Sequence, residues 1–357
     1  MDAKLPSTPI VNQDELILVT GANGFLGSRV VANLIERGYR NIRCFTRLSN
    51  QAAKVRSVSI LERSGSSVHV FRGNLLSRED CVAATRGVAV VLHLAAGRGE
   101  KSYPDAFMNS VVTTRNLLDG CVLHGCLKRF VNVSSFSVYT NTDKKLRSVL
   151  DETCPTEEHP EQRGEAYCFA KVKQDQIVAD YGKNFRIPYV IVRPGHVYGP
   201  GNEAITARVG VDTFGVFLHL GGSNPIPLTY VDNCADAIVL AGLEPGVDSE
   251  VFNIVDDAPL SSRRFLRLYK KNVKGFISLY VPHVASYAIC YLWEKYSQWS
   301  EGQLPPAFNR KRWHAFWKKT AYSNEKLKTR LGWSQKVQSA EGLRRYFEAC
   351  RMKVTNA

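Results

Sequence analysis

A tyrosine and a lysine stand four residues apart in the segment Tyr167-Cys168-Phe169-Ala170-Lys171. If this segment is helical, the two side chains lie on one face, one turn apart. A phenol has a pKa of about 10 and is a weak acid at neutral pH, but a neighbouring ammonium group lowers that pKa. The pair therefore indicates a general acid–base site in which Tyr167 exchanges a proton and Lys171 tunes it.

A serine-rich segment supplies hydroxyl groups for the same chemistry. The apolar run Arg129–Val133 predicts a buried strand, and Ser134, Ser135 and Ser137 come directly after it. A hydroxyl at a strand end can hydrogen-bond the substrate oxygen that Tyr167 protonates or deprotonates. A Tyr-x-x-x-Lys pair alone is common, so its position after this strand is what favours an acid–base site.

A glycine-rich turn precedes both motifs and has the spacing of a phosphate-binding loop. Gly21 and Gly24 follow the apolar run Glu15–Thr20, and Gly27 lies in the first turn of the helical pattern Phe25–Arg37. The first glycine permits the sharp turn, the second lets a pyrophosphate approach, and the third lets helix and strand pack closely. Free N–H groups at the helix start favour the phosphates. The predicted cofactor-binding residues of this turn are Gly21, Asn23, Gly24, Phe25, Leu26 and Gly27.

The end of the second predicted strand bears on the choice of dinucleotide. It reads Cys44-Phe45-Thr46-Arg47, with no acidic residue to hold a ribose 2′-hydroxyl. An arginine can bind a 2′-phosphate with two hydrogen bonds and can stack on adenine. NADP(H) is therefore favoured through Arg47, with Arg43 close by, and NAD(H) stays an alternative if Arg47 is only a surface residue.

Short apolar runs alternate with helical periodicity through the first half of the chain. The predicted strands are Glu15–Thr20, Ile42–Thr46, Val68–Phe71, Val88–His93, Arg129–Val133 and Ile187–Val192. The predicted helices include Phe25–Arg37, Ala106–His124 and a third from about residue 165 to 181. This alternation predicts an α/β fold, a Rossmann-type doubly wound parallel sheet with helices on both faces.

The composition is that of a globular protein with an excess of positive charge. The chain has 357 residues, with 47 Lys and Arg against 33 Asp and Glu, a net charge of +14. This globular composition excludes a disordered chain, a fibre and a coiled coil. The basic residues are spread along the chain, so we expect a small-molecule substrate and no nucleic acid partner. We predict an NAD(P)-binding Rossmann domain over residues 1–195, interleaved with a smaller, mostly helical substrate-binding lobe over 196–357.

Two features bear on the compartment. Nine cysteines occur with no Cys-x-x-Cys pair, which predicts reduced thiols and no structural metal. The N-terminal stretch has no apolar run of signal-peptide type, so we expect a cytoplasmic protein. The aromatic segment Phe276–Trp299 leaves three interpretations open: packing on the second lobe, the wall of an apolar substrate pocket, or peripheral contact with a membrane.

Taken together, these motifs resemble the extended branch of the short-chain dehydrogenase/reductase superfamily, the NAD-dependent epimerase/dehydratase family. The resemblance covers most of the chain and rests on the glycine turn, the Tyr167–Lys171 pair and Val131-Asn132-Val133-Ser134-Ser135 with Tyr139. It implies that Ser135, Tyr167 and Lys171 are catalytic and that Tyr167 and Lys171 also contact the cofactor. Further cofactor contacts that it implies are Asn74, Leu75, Ala95, Ala96, Pro194, Gly195 and Val197.

Several positions depart from the family pattern. Ser110 stands where an asparagine is frequent, which leaves an asparagine in the proton relay in doubt, with Asn109 as a neighbouring substitute. His196 replaces an asparagine of many nucleotide-sugar enzymes, and Pro225–Thr229 lacks their diphosphate-binding arginine. At these positions the chain is more similar to the 3-beta-hydroxysteroid dehydrogenase and dihydroflavonol reductase side of the family.

The resemblance and the motifs together predict an NAD(P)(H)-dependent oxidoreductase that transfers hydride at a secondary alcohol or ketone. A nucleotide-sugar 4-epimerase or dehydratase with a retained cofactor is the first alternative, with Arg208, Arg310 or Arg312 as phosphate ligands. A non-catalytic dinucleotide-binding regulator is the second. The substrate is expected to be a hydroxyl or ketone compound, either apolar or a nucleotide-sugar, and a homodimer stays open.

Overall fold

The structure, a computed structural model, describes residues 8–47, 67–97, 102–142, 148–213, 215–301, 303 and 308–355, so the start of the N-terminal stretch considered above lies outside it. The strands, in chain order, are β1 (Leu16–Thr20), β2 (Asn41–Thr46), β3 (Ser67–Arg72), β4 (Val88–His93), β5 (Arg129–Val133), β6 (Val149–Leu150), β7 (Tyr189–Pro194), β8 (His196–Tyr198), β9 (Gly210–Thr213), β10 (Val216–His219), β11 (Leu228–Tyr230), β12 (Glu250–Ile254), β13 (Ser278–Tyr280) and β14 (Ala321–Tyr322). The α-helices are α1 (Phe25–Glu36), α2 (Arg78–Thr85), α3 (Tyr103–Ala106), α4 (Thr113–His124), α5 (Ala166–Phe185), α6 (Val231–Leu243), α7 (Ser262–Asn272), α8 (His283–Trp299), α9 (Arg310–Phe316), α10 (Glu325–Leu331) and α11 (Ser339–Thr355).

Seven strands form one sheet in the order β12–β7–β5–β4–β1–β2–β3. Every pairing in it is parallel. The chain runs outward from β1 through β2 and β3, then returns to β4 and winds outward on the other side. The predicted Rossmann-type doubly wound sheet is therefore confirmed. In such sheets ligands bind at the carboxyl ends of the strands where the winding reverses, here between β1 and β4.

Helices cover both faces of the sheet, as predicted. On one face α1 and α6 pack through residues such as Val30 and Ile238. On the other face α4 and α5 pack through residues such as Leu117 and Val178. The strands themselves are buried on both sides, which explains why they appear in the sequence as nearly continuous apolar runs.

The outermost strand on one side was not predicted from the sequence. Strand β12 pairs with β7 from Glu250 opposite Val190 to Ile254 opposite Pro194. Its sequence, EVFNI, contains two polar residues and gives only a weak strand pattern. The sheet is thus completed by residues from the second half of the chain.

The rest of the second half is mostly helical, as expected. Its small sheets are β8 with β11, and β9 with β10 and β13. Helices α7 to α11 follow one another through the C-terminal region. None of the helices formed by the described residues is long and apolar enough to cross a membrane.

Candidate active site

The glycine turn between β1 and α1 has the shape of a phosphate cradle. Gly21 has a φ of +68°, which L side chains rarely adopt, and Gly24 N–H donates to Gly21 O at 2.9 Å. A Cβ on Gly27 would overlap the carbonyl of Gly21. Helix α1 begins after Gly24 without a side-chain cap and without an acidic residue in its first turn. Its first N–H groups are therefore suited to an anion, and the cradle fits the pyrophosphate of a dinucleotide.

The two arginines near the end of β2 differ in their surroundings. Arg43 donates to the carbonyls of Ala84 and Arg86 at 2.6 and 3.0 Å, so it is engaged at the end of α2. Arg47 is exposed and directly follows β2. Of the two, Arg47 is therefore the one placed to meet a ligand at this strand end.

The turn after β3 carries the residues expected on the adenine side. Asn74 Oδ1 accepts the Leu76 N–H at 3.0 Å, and the Asn74 N–H donates to Asp80 Oδ2 at 2.7 Å. Leu75 is buried beneath this turn. Asn116 of α4 donates to the carbonyl of Leu75 at 3.0 Å and ties the turn to the helix layer.

Lys171 is held at the carboxyl end of β5. Its buried Nζ donates to Val133 O at 2.7 Å and to Gln174 Oε1 at 2.8 Å. Tyr167 lies one turn earlier on α5 and exposes 39% of its surface. An anchored ammonium one turn from an accessible phenol is the arrangement that the acid–base hypothesis requires.

The serine segment is fastened to the start of the same helix. Ser135 is half-buried, and its Oγ accepts the Ser137 N–H at 3.1 Å, which caps the short 3₁₀ turn Phe136–Val138. The carbonyl of Ser137 accepts from Cys168 Sγ at 3.1 Å and from the buried guanidinium of Arg163. These bonds fix the strand end that carries Ser135 against the helix that carries Tyr167.

A buried polar chain connects Lys171 to the cofactor side of the sheet. Gln174 Nε2 donates to Thr114 Oγ1 at 2.8 Å, and Thr114 Oγ1 lies 2.8 Å from His93 Nε2. His93 Nδ1 lies 2.8 Å from Thr20 Oγ1, which accepts the Ala95 N–H at 3.1 Å. This series of hydrogen bonds thus runs beneath the carboxyl ends of β1, β4 and β5.

The protonation state of His93 follows from these contacts. Burial, reinforced by the Lys171 ammonium, lowers the pKa of His93 to about 3, so the imidazole is neutral at physiological pH. Thr114 donates its own hydrogen to Ser110 O at 2.6 Å. We therefore assign the His93 proton to Nε2, with Nδ1 accepting from Thr20.

A second buried pair stands behind the first. Arg193 donates to Asp175 Oδ2 from Nε and Nη2 at 3.2 and 3.1 Å. Asn132 donates to Asp175 Oδ1 at 2.9 Å, and Arg193 stacks over the Tyr139 ring at 4.8 Å. Burial raises the pKa of Asp175, although Arg193 acts in the opposite direction. This pair ties α5 to β5 and β7 and was not recognised in the sequence.

The position expected for a relay asparagine is occupied differently. Ser110 is buried and its Oγ accepts the Gly97 N–H at 3.1 Å. Asn109 donates to Asp105 O at 3.0 Å within its own helical segment, so its amide is engaged away from Lys171. The amide that does contact Lys171 belongs to Gln174. The i, i+3 spacing of Lys171 and Gln174 on one helix was the available sequence signal.

The remaining predicted cofactor residues line the same edge of the sheet. Ala95 and Ala96 follow β4 and are half-buried. Pro194 ends β7, and a Cβ on Gly195 would overlap the carbonyl of Pro227. Val197 is half-buried in β8. The topology brings these residues, the glycine turn and the Tyr167–Lys171 helix to one end of the sheet.

Three arginines surround one phenylalanine beside the serine segment. The guanidinium carbons of Arg163, Arg208 and Arg312 lie 5.5, 5.1 and 5.7 Å from the Phe316 ring centre. Glu165 is a carboxylate shared by two of them, 2.8 Å from Arg163 Nε and 3.6 Å from Arg312 Nε. Burial lowers the pKa of Arg208. The cluster thus holds three guanidinium groups together with the carboxylate of Glu165.

A cavity of about 730 Å³ lies between α8, α9 and the turn before α5. Of the aromatic residues predicted to form an apolar wall, Tyr287 lines it, in company with Arg310, Lys311 and His314. Arg310 is engaged by Glu294, which accepts from Nε and Nη2 at 3.1 and 3.0 Å. Polar and charged residues thus line this cavity together with the ring of Tyr287.

Comparison with known proteins agrees with this geometry. Residues 17–254 match the model of the NAD dependent epimerase/dehydratase family. The chain is 28% identical over 257 residues to 2-alkyl-3-oxoalkanoate reductase of Stenotrophomonas maltophilia (strain K279a), covering 70% of this chain and 73% of that protein. It is 26% identical over 273 residues to human sterol-4-alpha-carboxylate 3-dehydrogenase, decarboxylating, and the match covers 71% of this chain and 66% of that protein. The resemblance inferred from the motifs is thereby confirmed.

A solved structure shows the same fold. UDP-glucuronic acid 4-epimerase from Bacillus cereus, in complex with NAD, superposes with a TM-score of 0.71 at 22% identity. The superposition covers 95% of this chain and 99% of that one. Relatives and structural neighbours together include reductases, dehydrogenases and epimerases.

Proposed function

The chain belongs to the NAD-dependent epimerase/dehydratase family, and from that premise we propose an NADP(H)-dependent oxidoreductase that transfers hydride at a secondary alcohol or ketone. The observation that carries the proposal is the anchoring of Lys171. Its ammonium is fixed by Val133 O and Gln174 Oε1 at 2.7 and 2.8 Å, one turn from the accessible Tyr167. Such an arrangement would supply a proton to the oxygen of a reacting carbonyl group.

The residues at the sheet edge fit a nicotinamide dinucleotide. Gly24 would let the pyrophosphate approach, Gly27 lets α1 lie close against Gly21, and the first N–H groups of α1 would hold the pyrophosphate. Arg47 would pair with a 2′-phosphate, which is why we propose NADP(H) over NAD(H). When bound, the nicotinamide supplies the hydride chemistry.

The proposed roles of the catalytic residues follow from their anchoring. Tyr167 donates a proton to a carbonyl oxygen during reduction, or accepts the hydroxyl proton during oxidation. Ser135 Oγ holds the same oxygen, and Lys171 stabilises the phenolate of Tyr167 by its positive charge. Because Lys171 is already held by two acceptors, little reorganisation is needed when the substrate binds.

The arginine cluster favours a second candidate, a nucleotide-sugar 4-epimerase or dehydratase with a retained cofactor. Three guanidinium groups around Phe316 with Glu165 between two of them suit an anionic substrate group. The structure of UDP-glucuronic acid 4-epimerase shares the fold. The candidate phosphate ligands are Arg208, Arg310 and Arg312, of which Arg310 is held most tightly, by two hydrogen bonds to Glu294.

Native mass spectrometry of the purified protein, followed by turnover assays, tests the two candidates. The oxidoreductase predicts an empty site that takes up NADPH, and net consumption of NADPH with a ketone. Retained NAD, together with interconversion of UDP-sugars without net cofactor consumption, would put the epimerase first. Binding of a dinucleotide without turnover of either substrate class would point to a non-catalytic regulator.

A further inference from the structure

Helix α8 presents its apolar side chains to solvent. Val284, Leu292 and Trp299 are exposed by 83%, 65% and 77%. The side chains that the helix buries are Ser286, Cys290 and Ser297. Ser286 accepts a hydrogen bond from Trp313 Nε1 at 2.9 Å, so the inward face is anchored through a polar contact. The inward face also carries Tyr287 and Trp293, which pack on Trp313 and Phe308, so the helix has apolar side chains on its solvent side as well as on its inward side.

The exposed apolar residues form one continuous stripe. At about 100° per residue, positions four and then three or four apart return to the same side of a helix. The exposed apolar residues on this side of α8 are Val284, Ala288, Ile289, Leu292, Tyr296 and Trp299. The stripe therefore extends along the whole helix.

Strand β13 extends this apolar surface. Ile277 and Leu279 are exposed by 73% and 59%. Ile277 directly precedes β13 and Leu279 lies at its centre. Strand β13 pairs with β10 at the edge of its small sheet and leads through Val281 and Pro282 directly into α8.

A basic row on α7 lies beside this strand. Arg263 stacks on the Tyr280 ring at 5.1 Å, and Lys270 Nζ donates to Ser278 Oγ at 2.6 Å. Between Ser262 and Trp299 the basic residues are Arg263, Arg264, Arg267, Lys270, Lys271, Lys274 and Lys295. The single acidic residue in that range, Glu294, is paired with Arg310. We refer to the exposed residues of α7, β13 and α8 together as the α7–α8 surface.

We propose that the α7–α8 surface binds the interface of a membrane that contains anionic phospholipids. Its apolar stripe offers side chains that gain by leaving water, and its basic row complements acidic headgroups. A helix of this length and pattern lies in the plane of the interface rather than across the bilayer. A second copy of this chain is a poorer occupant, because it would bring two rows of like charge together.

Vesicle co-sedimentation with the full chain tests the proposal. One set of vesicles contains phosphatidylcholine alone, and the other contains phosphatidylcholine mixed with phosphatidylglycerol. We expect binding to the mixed vesicles that weakens as salt is raised, because the headgroup attraction is screened. Absence of sedimentation with the mixed vesicles at low salt would overturn the proposal.

A matched pair of substitutions locates the contact. Leu292→Gln removes one side chain of the stripe, and Leu123→Gln makes the same change on α4 at a leucine of similar exposure, 68% against 65%. We expect the partition coefficient to fall about tenfold for Leu292→Gln and to stay unchanged for Leu123→Gln. Equal effects of the two substitutions would contradict a contact through α8.

Charge reversal tests the basic row separately. Lys271→Glu should reduce binding to mixed vesicles about tenfold, while Lys183→Glu on the exposed end of α5 should not. Melting temperatures of all four variants, measured without lipid, show whether each one folds. A lipid-independent dimer that dissociates on Leu292→Gln would assign the surface to a second copy instead. None of these outcomes depends on the proposed hydride transfer.

Discussion

Two regions of the protein depart from the usual distribution of polar and apolar side chains, in opposite directions. Beneath the carboxyl edge of the sheet, His93, Lys171 and Asp175 are buried and make hydrogen bonds of 2.7 to 3.2 Å. On α8, in contrast, Leu292 and Trp299 are exposed. We call the first region, from Thr20 through His93, Thr114 and Gln174 to Lys171, the buried relay.

The difference shows what each region requires to function. Burying a polar group costs about 1–3 kcal/mol unless it finds a partner, and in the buried relay the partners are already in place. The buried relay is therefore organised before any ligand arrives. The exposed stripe of α8, in contrast, contributes favourable free energy only when another surface covers it and removes it from water. Substitutions and changes of pH should therefore affect the buried relay. The exposed stripe of α8 should respond when a partner covers it.

The largest effect is expected at the accessible end of the first region. Tyr167→Phe removes the proton that the reaction exchanges, so turnover should fall by about 10²–10⁴-fold with little change in cofactor affinity. Steady-state kinetics and dinucleotide titration measure the two quantities. Tyr291→Phe is the matched control, since Tyr291 on α8 has a similar exposure of 40% against 39%. Full activity in Tyr167→Phe would reject the acid–base assignment.

The second effect concerns stability and pH within the buried relay. The pKa of His93 is lowered to about 3 in the folded protein, against about 6.5 when unfolded. Its contribution to stability is therefore complete above pH 6.5 and is lost as the pH falls, by about 1.4 kcal/mol per pH unit. His93→Gln should flatten this slope in urea unfolding. His159→Gln, at the surface, should leave it unchanged.

Buried carboxyl groups act in the opposite sense and must be separated from His93, Asp256 among them. Burial raises the pKa of Asp256 to about 7. Its contribution is complete below its unfolded pKa of about 3.9 and is lost as the pH rises towards 7. The difference between the wild-type and His93→Gln curves removes this contribution. A difference that does not vary between pH 6.5 and 4.5 would contradict the neutral, buried His93.

The sequence predicted the sheet and the glycine turn because their patterns are local. Strand β1 and the turn through Gly27 lie within a few residues, and the spacing alone restricts their conformation. Strand β12 was missed, since its place depends on pairing with β7 across a long stretch of chain. The contact between Gln174 and Thr114 was missed for a similar reason, because it depends on how α5 packs against α4.

The surface of α8 shows a different limit. Aromatic density in Phe276–Trp299 indicated an unusual segment but left packing, a pocket wall and membrane contact open. The choice among them depends on which side of the helix faces the protein. That side contains Ser286, which accepts from Trp313 Nε1, and the buried Cys290. Periodicity alone would have turned the apolar side inward.

A third, smaller effect is expected at an exposed residue of the cofactor edge. Arg47→Asp removes a guanidinium suited to a 2′-phosphate, which should cost about 1.5–3 kcal/mol of NADPH binding. The preference over NADH should disappear or reverse, with no change in melting temperature because Arg47 is exposed. Arg40→Asp, at the opposite end of β2, is the control. Equal affinities for NADPH and NADH in the wild type would contradict the proposed preference.

The smallest effect tests whether the buried relay positions Lys171 or only packs around it. Gln174→Glu places a carboxylate where Gln174 Oε1 now lies, 2.8 Å from Lys171 Nζ. A negative charge there offsets the ammonium and raises the pKa of the Tyr167 phenol. The limb of the pH–rate profile that reports this phenol should therefore move up by about one pH unit.

If the carboxyl group introduced by Gln174→Glu is protonated in its buried position, the limb of the pH–rate profile will not move, so Gln174→Met is the second variant. It removes the acceptor and should lower kcat more than it raises KM. Gln176→Glu adds the same charge on the exposed side of α5 and should shift nothing. An unchanged kcat and pH profile in Gln174→Met would show that Lys171 is held in place without the Gln174 acceptor.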